Sequence, residues 1–276
     1  MNVLHAIRNA PDWLKLQNEK AYDEHVFNNF VKNKMKKVFN LWSTNISPNY
    51  FVFRNKFTKI ARKNHLSLSV DKFFESALNI EKKLVIESQP FLILFSDDDD
   101  WYNNQVVDII KNIYKKNLNI DAILWNHAAF LSNYKQFDKN HNKPYIVCEK
   151  KINFFTNNYA LTDKFFKKLN IKDFNYLNYG IEYEPFYGHC NLKKFFMNKM
   201  KIIKIPDWLS MSHKSICSYS FWLKNDSFED IKKVVNNYKY KVTNNLNIEN
   251  KFNWAKDYIQ EVIKLYKNLK LNEKFL

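Results

Sequence analysis

The stretch Phe91-Leu92-Ile93-Leu94-Phe95-Ser96-Asp97-Asp98-Asp99-Asp100 decides the predicted fold, because an apolar run leads directly into a run of aspartates. A continuous apolar run of this length is typical of a strand that is buried on both faces. Residues 106–116 follow with apolar positions at helical spacing, and residues 121–125 are again apolar. A strand, an acidic segment, a helix and a second strand in about thirty residues form a βαβ unit, so the sequence predicts the α/β class.

Further strands and helices are predicted around this unit from the spacing of the apolar residues. Strands are expected over residues 3–7, 145–148 and 202–205, and no strand is expected after Asp226. Helices are expected over residues 19–42, 71–85, 193–197, 231–240 and 254–269, and Pro48 is expected to close the first of these stretches. We expect a mixed sheet flanked by helices, with a helical C-terminal tail.

The composition excludes several ways of binding a nucleotide. Glycine occurs only at Gly180 and Gly188, so no glycine-rich phosphate loop and no G-x-S-x-G elbow can be formed. The net charge is +16 but only Arg8, Arg54 and Arg62 are arginines. Since arginine is the residue that recognises phosphate and guanine bidentately, the charge predicts no specific nucleic-acid site. A non-catalytic, lysine-rich protein that binds nucleic acid or another anionic partner is the second hypothesis for this chain.

Cysteine usage and hydropathy predict a cytoplasmic protein. Cys148, Cys190 and Cys217 are odd in number and form no C-x-x-C pair, which suits a reducing compartment. The first residues do not have the pattern of a signal peptide, and no apolar run is long enough to span a membrane. An aromatic stripe over residues 254–266 docks on the core or lies on an anionic membrane surface, which leaves weak peripheral contact with the inner face of a membrane as an alternative.

The four aspartates are the main candidates for chemistry. In an extended segment, Asp97 and Asp99 would lie on one side and Asp98 and Asp100 on the other. Neighbouring carboxylates oppose each other's ionisation unless a cation lies between them, and Mg²⁺ or Mn²⁺ binds carboxylate oxygens while leaving positions for substrate phosphates. One aspartate could instead cap the following helix, but a cap needs only one. We therefore expect a divalent metal site here.

His213 is the histidine with the best position for a further ligand, because it follows the predicted strand that Pro206 ends. His189 is a similar but weaker candidate. The other histidines, among them His5 and His65, form no H-E-x-x-H or comparable pair.

An apolar strand that ends in an acidic run and is followed by a later histidine resembles the GT-A glycosyltransferases. Three segments resemble a rhamnosyltransferase-like bacterial family more closely. They are Phe95-Ser96-Asp97-Asp98-Asp99-Asp100-Trp101, Phe154-Phe155-Thr156-Asn157-Asn158-Tyr159-Ala160-Leu161, and the ordered positions from His189 through Ile203-Lys204-Ile205-Pro206-Asp207 to His213. The resemblance covers residues 90–220, or about half of the chain.

This resemblance implies a GT-A-like catalytic domain over residues 1–225 and a helical extension over residues 226–276 packed on the core. It implies a metal-dependent hexosyl- or rhamnosyltransferase of polysaccharide biosynthesis, which moves a sugar from a nucleotide-diphosphate donor to a glycan or lipid-linked acceptor. Asp97 and Asp98 would contact the donor, and the ligands of Mn²⁺ or Mg²⁺ would come from Asp98, Asp99, Asp100 and His213. An inverting enzyme would also need a carboxylate base, for which Asp163, Glu182 and Glu184 are the candidates.

Overall fold

A computed structural model describes residues 1–8, 48–74, 89–131, 145–148, 152–155, 157–168, 192–214, 241–242 and 250–268. The chain divides into two compact units. The first contains Met1–Asn9, Arg62–Ala128 and Lys151–Ser212, and the second contains Ala10–Ala61, Ala129–Lys150 and His213–Leu276. The domain boundary predicted at residue 225 lies outside the described residues and stays a prediction.

The first unit is built on a six-stranded mixed sheet. Its strands are β1 (Asn2–Arg8), β2 (Lys72–Phe74), β3 (Phe91–Asp97), β5 (Ala122–Leu124), β8 (Tyr159–Thr162) and β9 (Ile202–Lys204). Their order is β2-β1-β3-β8-β5-β9. Strand β8 is antiparallel to both β3 and β5, and the other pairings are parallel. The predicted α/β class and mixed sheet are therefore confirmed.

Strand β3 is buried on both faces, as its sequence predicts. Phe91, Ile93 and Phe95 lie in one core, while Leu92 and Leu94 lie in the other. Burying side chains of this size stabilises the fold by about 1.5–3 kcal/mol each. The second core also contains the buried face of helix α2 (Val106–Lys116), and the first contains aromatic residues that lie farther along the chain: Phe154, Phe165, Phe166 and Phe196.

The βαβ prediction is confirmed, with one addition. Strands β3 and β5 are parallel to each other because both are antiparallel to β8, which lies between them. Between β3 and α2 the chain also forms a two-residue strand, β4 (Trp101–Tyr102). It pairs with the start of β10 (Ser210–Lys214), with Tyr102 opposite Ser210 and Trp101 opposite Met211.

Several predicted elements need correction. Residues 71–85 were expected to be helical, but Lys72–Phe74 forms β2, because pairing with β1 satisfies its backbone groups. Residues 75–85 of this stretch lie outside the described residues. Pro48 begins helix α1 (Pro48–Ser67), which was not predicted, and its missing N–H costs nothing there. The expectation of no strand after Asp226 is wrong, since β11 (Lys241–Val242) pairs with β7 (Tyr145–Cys148), the strand that follows β6 (His127–Leu131) in the chain. The helices predicted over residues 19–42 and 231–240 lie outside the described residues.

The second unit contains the predicted C-terminal helix. A 3₁₀ turn (Asn253–Ala255) leads into helix α4 (Lys256–Asn268). The short helix α3 (Asp163–Phe166), which comes earlier in the chain, belongs to the first unit. Tyr258 and Val262 of α4 are buried, and the Tyr258 ring contacts Phe57 with centroids 5.6 Å apart. These two residues of the predicted stripe are therefore covered by protein. No helix in the described part of the chain is both long enough and apolar enough to cross a membrane.

Candidate functional site

The acidic run lies at the carboxyl end of β3, beside its parallel neighbour β1. The chain places β2 on one side of β1 and then β3 on the other, so the strand order reverses between β1 and β3. These strands are parallel and in register to their last residues, where Arg8 pairs with Asp97. In open α/β sheets, ligands bind beyond the carboxyl ends of strands at such a reversal. We call this side, where β1, β3, β5 and β9 end and β8 begins, the carboxyl end of the sheet.

Residues 97–100 form a β-turn, which we call the acidic turn. The amide N of Asp100 donates to the carbonyl O of Asp97 at 3.2 Å, and the amide N of Asp97 donates to Oδ2 of Asp100 at 2.6 Å. The expectation of an extended acidic segment is therefore wrong. The aspartates also differ in role, because Asp98 and Asp99 occupy the two central positions of the turn while Asp100 closes it.

The acidic turn is buried. Asp98, Asp99 and Asp100 are 4%, 9% and 1% exposed. Several carboxylates in one buried turn form the kind of oxygen-rich setting that a hard divalent cation stabilises. Among the residues that the structure describes, however, no three His, Cys, Asp or Glu side chains are arranged to hold a metal ion together. An ion held by one or two of these carboxylates would complete its coordination with substrate phosphate and water, as Mg²⁺ commonly does.

Two buried histidines lie beside the acidic turn. Nε2 of His65 lies 2.6 Å from the carbonyl O of Asp100, and Nε2 of His5 lies 2.9 Å from Oγ of Ser96. Their rings are 5.1 Å apart. Burial lowers the pKa of His65 to about 4, although the bond to Asp100 and the charge of Asp99 oppose that shift. Burial, together with His65, also holds the pKa of His5 well below its usual value. Both rings are therefore neutral at pH 7.

The other segments that resemble the rhamnosyltransferase-like family meet near the same end of the sheet. Asn158, just before β8, donates through Nδ2 to the carbonyl oxygens of Trp125 and Asn153, at 2.8 and 2.7 Å. Oγ of Ser210 lies 3.3 Å from Oδ1 of Asn157 and accepts a hydrogen bond from Nε1 of Trp125 at 2.8 Å. Since Ser210 also pairs with Tyr102, the described residues of all three segments, apart from His213, are connected within the first unit.

Asp163, a candidate base, lies at the opposite end of the sheet, which we call the amino end. Thr162 pairs with Leu92, five residues before Asp97, so Asp163 is at least roughly 17 Å from the acidic turn along the strand. Its carboxylate accepts hydrogen bonds from the Tyr114 hydroxyl and, at 2.9 Å, from Nζ of Lys167. Burial raises the pKa of Asp163, but these two donors outweigh it and leave the pKa lowered. The structure does not bring Asp163 and the acidic turn together.

The remaining predicted site residues are placed as follows. His213 belongs to the second unit and is 2% exposed, and its ring lies against Phe57 and Phe130 with centroids 3.9 and 5.7 Å away. Its role as a metal ligand stays a prediction. Glu182, Glu184 and His189 lie outside the described residues, and their roles stay predictions too.

Asn64 and His65 both contact the segment that contains the acidic turn, and neither was among the candidate residues predicted from the sequence. They lie in a helix that was not predicted, 35 and more residues before their partners. Their residue types gave no signal, since the same stretch also contains Asn49 and Asn55.

The comparisons with known proteins add no family to this picture. No protein-family model matches the chain, and no curated protein matches it significantly. The likeness to the GT-A glycosyltransferases therefore remains a resemblance that rests on the three segments described above.

Proposed function

We propose that this chain is a metal-dependent glycosyltransferase of the GT-A type. It would transfer a hexosyl or rhamnosyl group from a nucleotide-diphosphate donor to a hydroxyl of a glycan or lipid-linked acceptor. The observation that carries the proposal is the buried acidic turn at the reversal point between β1 and β3. A mixed sheet with this turn at its carboxyl end agrees with what the GT-A resemblance implies.

Within this proposal, the aspartates divide the work. Asp98 and Asp99, at the centre of the turn, are the proposed ligands of Mg²⁺ or Mn²⁺. Asp100 keeps the turn closed through the amide of Asp97. The backbone of Asp97 is opposite that of Arg8 at the end of the sheet, where the donor would bind. A bound divalent ion would supply Lewis-acid stabilisation of the negative charge that develops on the departing diphosphate.

The low glycine content supports the same interpretation. A nucleotide diphosphate needs either backbone N–H groups that surround its phosphates or a cation that neutralises them. Two glycines in the chain exclude the glycine-rich loops that commonly provide the first solution. The acidic turn offers ligands for the second. The acceptor base is left to Glu182 or Glu184, because Asp163 lies at the amino end of the sheet.

A donor panel tests the proposal. The native chain is incubated with nucleotide sugars in Mn²⁺ or in EDTA, and release of the nucleoside diphosphate is measured. We expect release from at least one donor in Mn²⁺ and none in EDTA. Asp108 is an exposed aspartate in the first turn of α2, so Asp108→Asn is the matched control for substitutions in the acidic turn and should keep native activity. Binding of nucleoside diphosphates to the native chain in Mn²⁺ is titrated alongside, and the proposal fails if none binds. Binding that persists in EDTA and falls steeply with salt would favour the lysine-rich hypothesis instead.

A further inference from the structure

The end of helix α1 holds the strand that follows the acidic turn. Oδ1 of Asn64 accepts a hydrogen bond from the amide N of Tyr102 at 2.9 Å, and Nδ2 donates to the carbonyl O of Tyr102 at 3.1 Å. The second hydrogen of Nδ2 is donated to Oδ1 of Asn104 at 2.8 Å. Turning the amide over would place oxygen against oxygen and N–H against N–H, so its orientation is fixed. Asn64 thus binds Tyr102 as a neighbouring strand would.

His65 holds the turn itself. A carbonyl oxygen can only accept, so the bond to Asp100 requires the hydrogen of His65 to be on Nε2. Nδ1 is buried and makes no hydrogen bond to any described residue, which suits a neutral ring. Asp100 is consequently fixed at three atoms: its amide and Oδ2 by Asp97, and its carbonyl by His65.

Tyr102 closes the arrangement from the other side. Its hydroxyl donates to the carbonyl O of Phe95 at 2.5 Å, so the strand after the turn is bound to the strand before it. A segment held at both ends and at Asp100 has little freedom to move its two central aspartates. Such preorganisation matters because a misplacement of about 1 Å at a reacting centre can lower a rate by roughly a hundred-fold.

We infer that Asn64 and His65 are positioning residues, which set the geometry in which Asp98 and Asp99 bind the metal and donor diphosphate. This inference rests on the proposed function. It assigns to the end of α1 a role that neither residue type nor spacing indicates, and it places that role in two neutral side chains that act through backbone atoms.

The test compares His65→Leu, which removes the donor to Asp100, with His65→Gln, whose amide N–H can replace it. Asn64→Ala removes the bonds to Tyr102. Ser67→Ala is the control, since it removes one hydrogen bond at the same helix end, from Oγ to the carbonyl O of Asn64, without contacting the turn. Rates are measured against Mn²⁺, donor and acceptor well below the melting temperature. Hydrogen exchange is measured for the peptide that covers residues 95–104.

We expect His65→Leu and Asn64→Ala to lower kcat at least about ten-fold and to raise the Mn²⁺ concentration for half-maximal rate, while the acceptor KM stays unchanged. Exchange over residues 95–104 should accelerate in both variants. His65→Gln should recover most of the rate, and Ser67→Ala should match the native chain. If Asn64→Ala does not fold, the His65 pair still decides.

Unchanged exchange, unchanged kcat, or equal losses in His65→Leu and His65→Gln would overturn the positioning role while leaving the proposed function in place. If instead the native chain binds no nucleoside diphosphate in Mn²⁺, the proposed function fails, and the positioning role fails with it. The native titration therefore separates the two results.

Discussion

The two ends of the six-stranded sheet hold their buried carboxylates in different ways. At the amino end, each carboxylate has its own lysine: Lys167 lies 2.9 Å from Asp163, and Lys168 lies 2.5 Å from Asp121. At the carboxyl end, buried carboxylates follow one another in a single turn that neutral side chains hold in place. A carboxylate with its own lysine contributes to the fold. On the proposed function, the carboxylates of the acidic turn bind a cation that arrives with a substrate.

The largest expected effect comes from the centre of the acidic turn. Asp98→Asn together with Asp99→Asn should lower transfer at least about a hundred-fold, because the metal and diphosphate lose their charged ligands. Donor turnover per folded molecule measures this loss. Native turnover in this variant would show that the aspartates at the carboxyl end are no more important for transfer than those at the amino end.

The opposite result is expected at the amino end. Asp163→Asn should lower the free energy of unfolding by about 2 kcal/mol, because the hydrogen bonds from Tyr114 and Lys167 lose a charged acceptor. Turnover per folded molecule should stay within about two-fold of native, since Asp163 does not meet the acidic turn. A large fall in turnover with an unchanged free energy of unfolding would make Asp163 a candidate for the catalytic base again.

The neutral histidines at the carboxyl end predict a pH dependence of stability. Burial lowers the pKa of His65 to about 4 from 6.5 in the unfolded chain, so the unfolded chain binds more protons between these pH values. Stability is therefore lost as pH falls through this window, by about 2 kcal/mol between pH 7 and pH 5. His5 contributes in the same direction. Urea unfolding at both pH values should show a smaller loss in His65→Gln, and an equal loss would contradict a neutral His65.

The smallest effect is expected for an exposed pair at the amino end. Nζ of Lys111 lies 3.3 Å from Oδ2 of Asp71, and both side chains are partly exposed to water. Lys111→Met should change the free energy of unfolding by less than about 1 kcal/mol. Thermal unfolding checks this value. A larger loss of stability would mean that the partly exposed Asp71–Lys111 pair stabilises the fold as much as the pairs with a buried carboxylate do.

The sequence predicted the parts of the fold that depend on burial alone. The run from Phe91 to Phe95 had to be buried on both faces, and residues 106–116 showed a helical apolar face, so β3, α2 and the strand after them followed. Two short strands, β2 and β11, were missed because their pairing with a neighbouring strand decides them. Phe73 and Phe74 fit a helix as well as a strand, and only the neighbouring β1 makes them a strand.

The position of the acidic run at a strand end was predicted, but its geometry was not. The acidic run at a strand end was evident, but its closure into a turn depends on the Asp100 side chain, which spacing does not reveal. Asp163 was a reasonable base by residue type, and only the antiparallel direction of β8 places it at the amino end. Asn64 and His65 were missed because their contacts join residues 35 or more apart.

Calorimetric titration of Mn²⁺ with a nucleoside diphosphate tests the difference between the two ends most directly. It compares the native chain, the Asp98→Asn, Asp99→Asn double variant and Asp163→Asn, each shown to be folded by circular dichroism. We expect the double variant to lose at least about ten-fold in affinity, while Asp163→Asn should bind within about two-fold of native. Native affinity in the double variant, or an equal loss in Asp163→Asn, would contradict it.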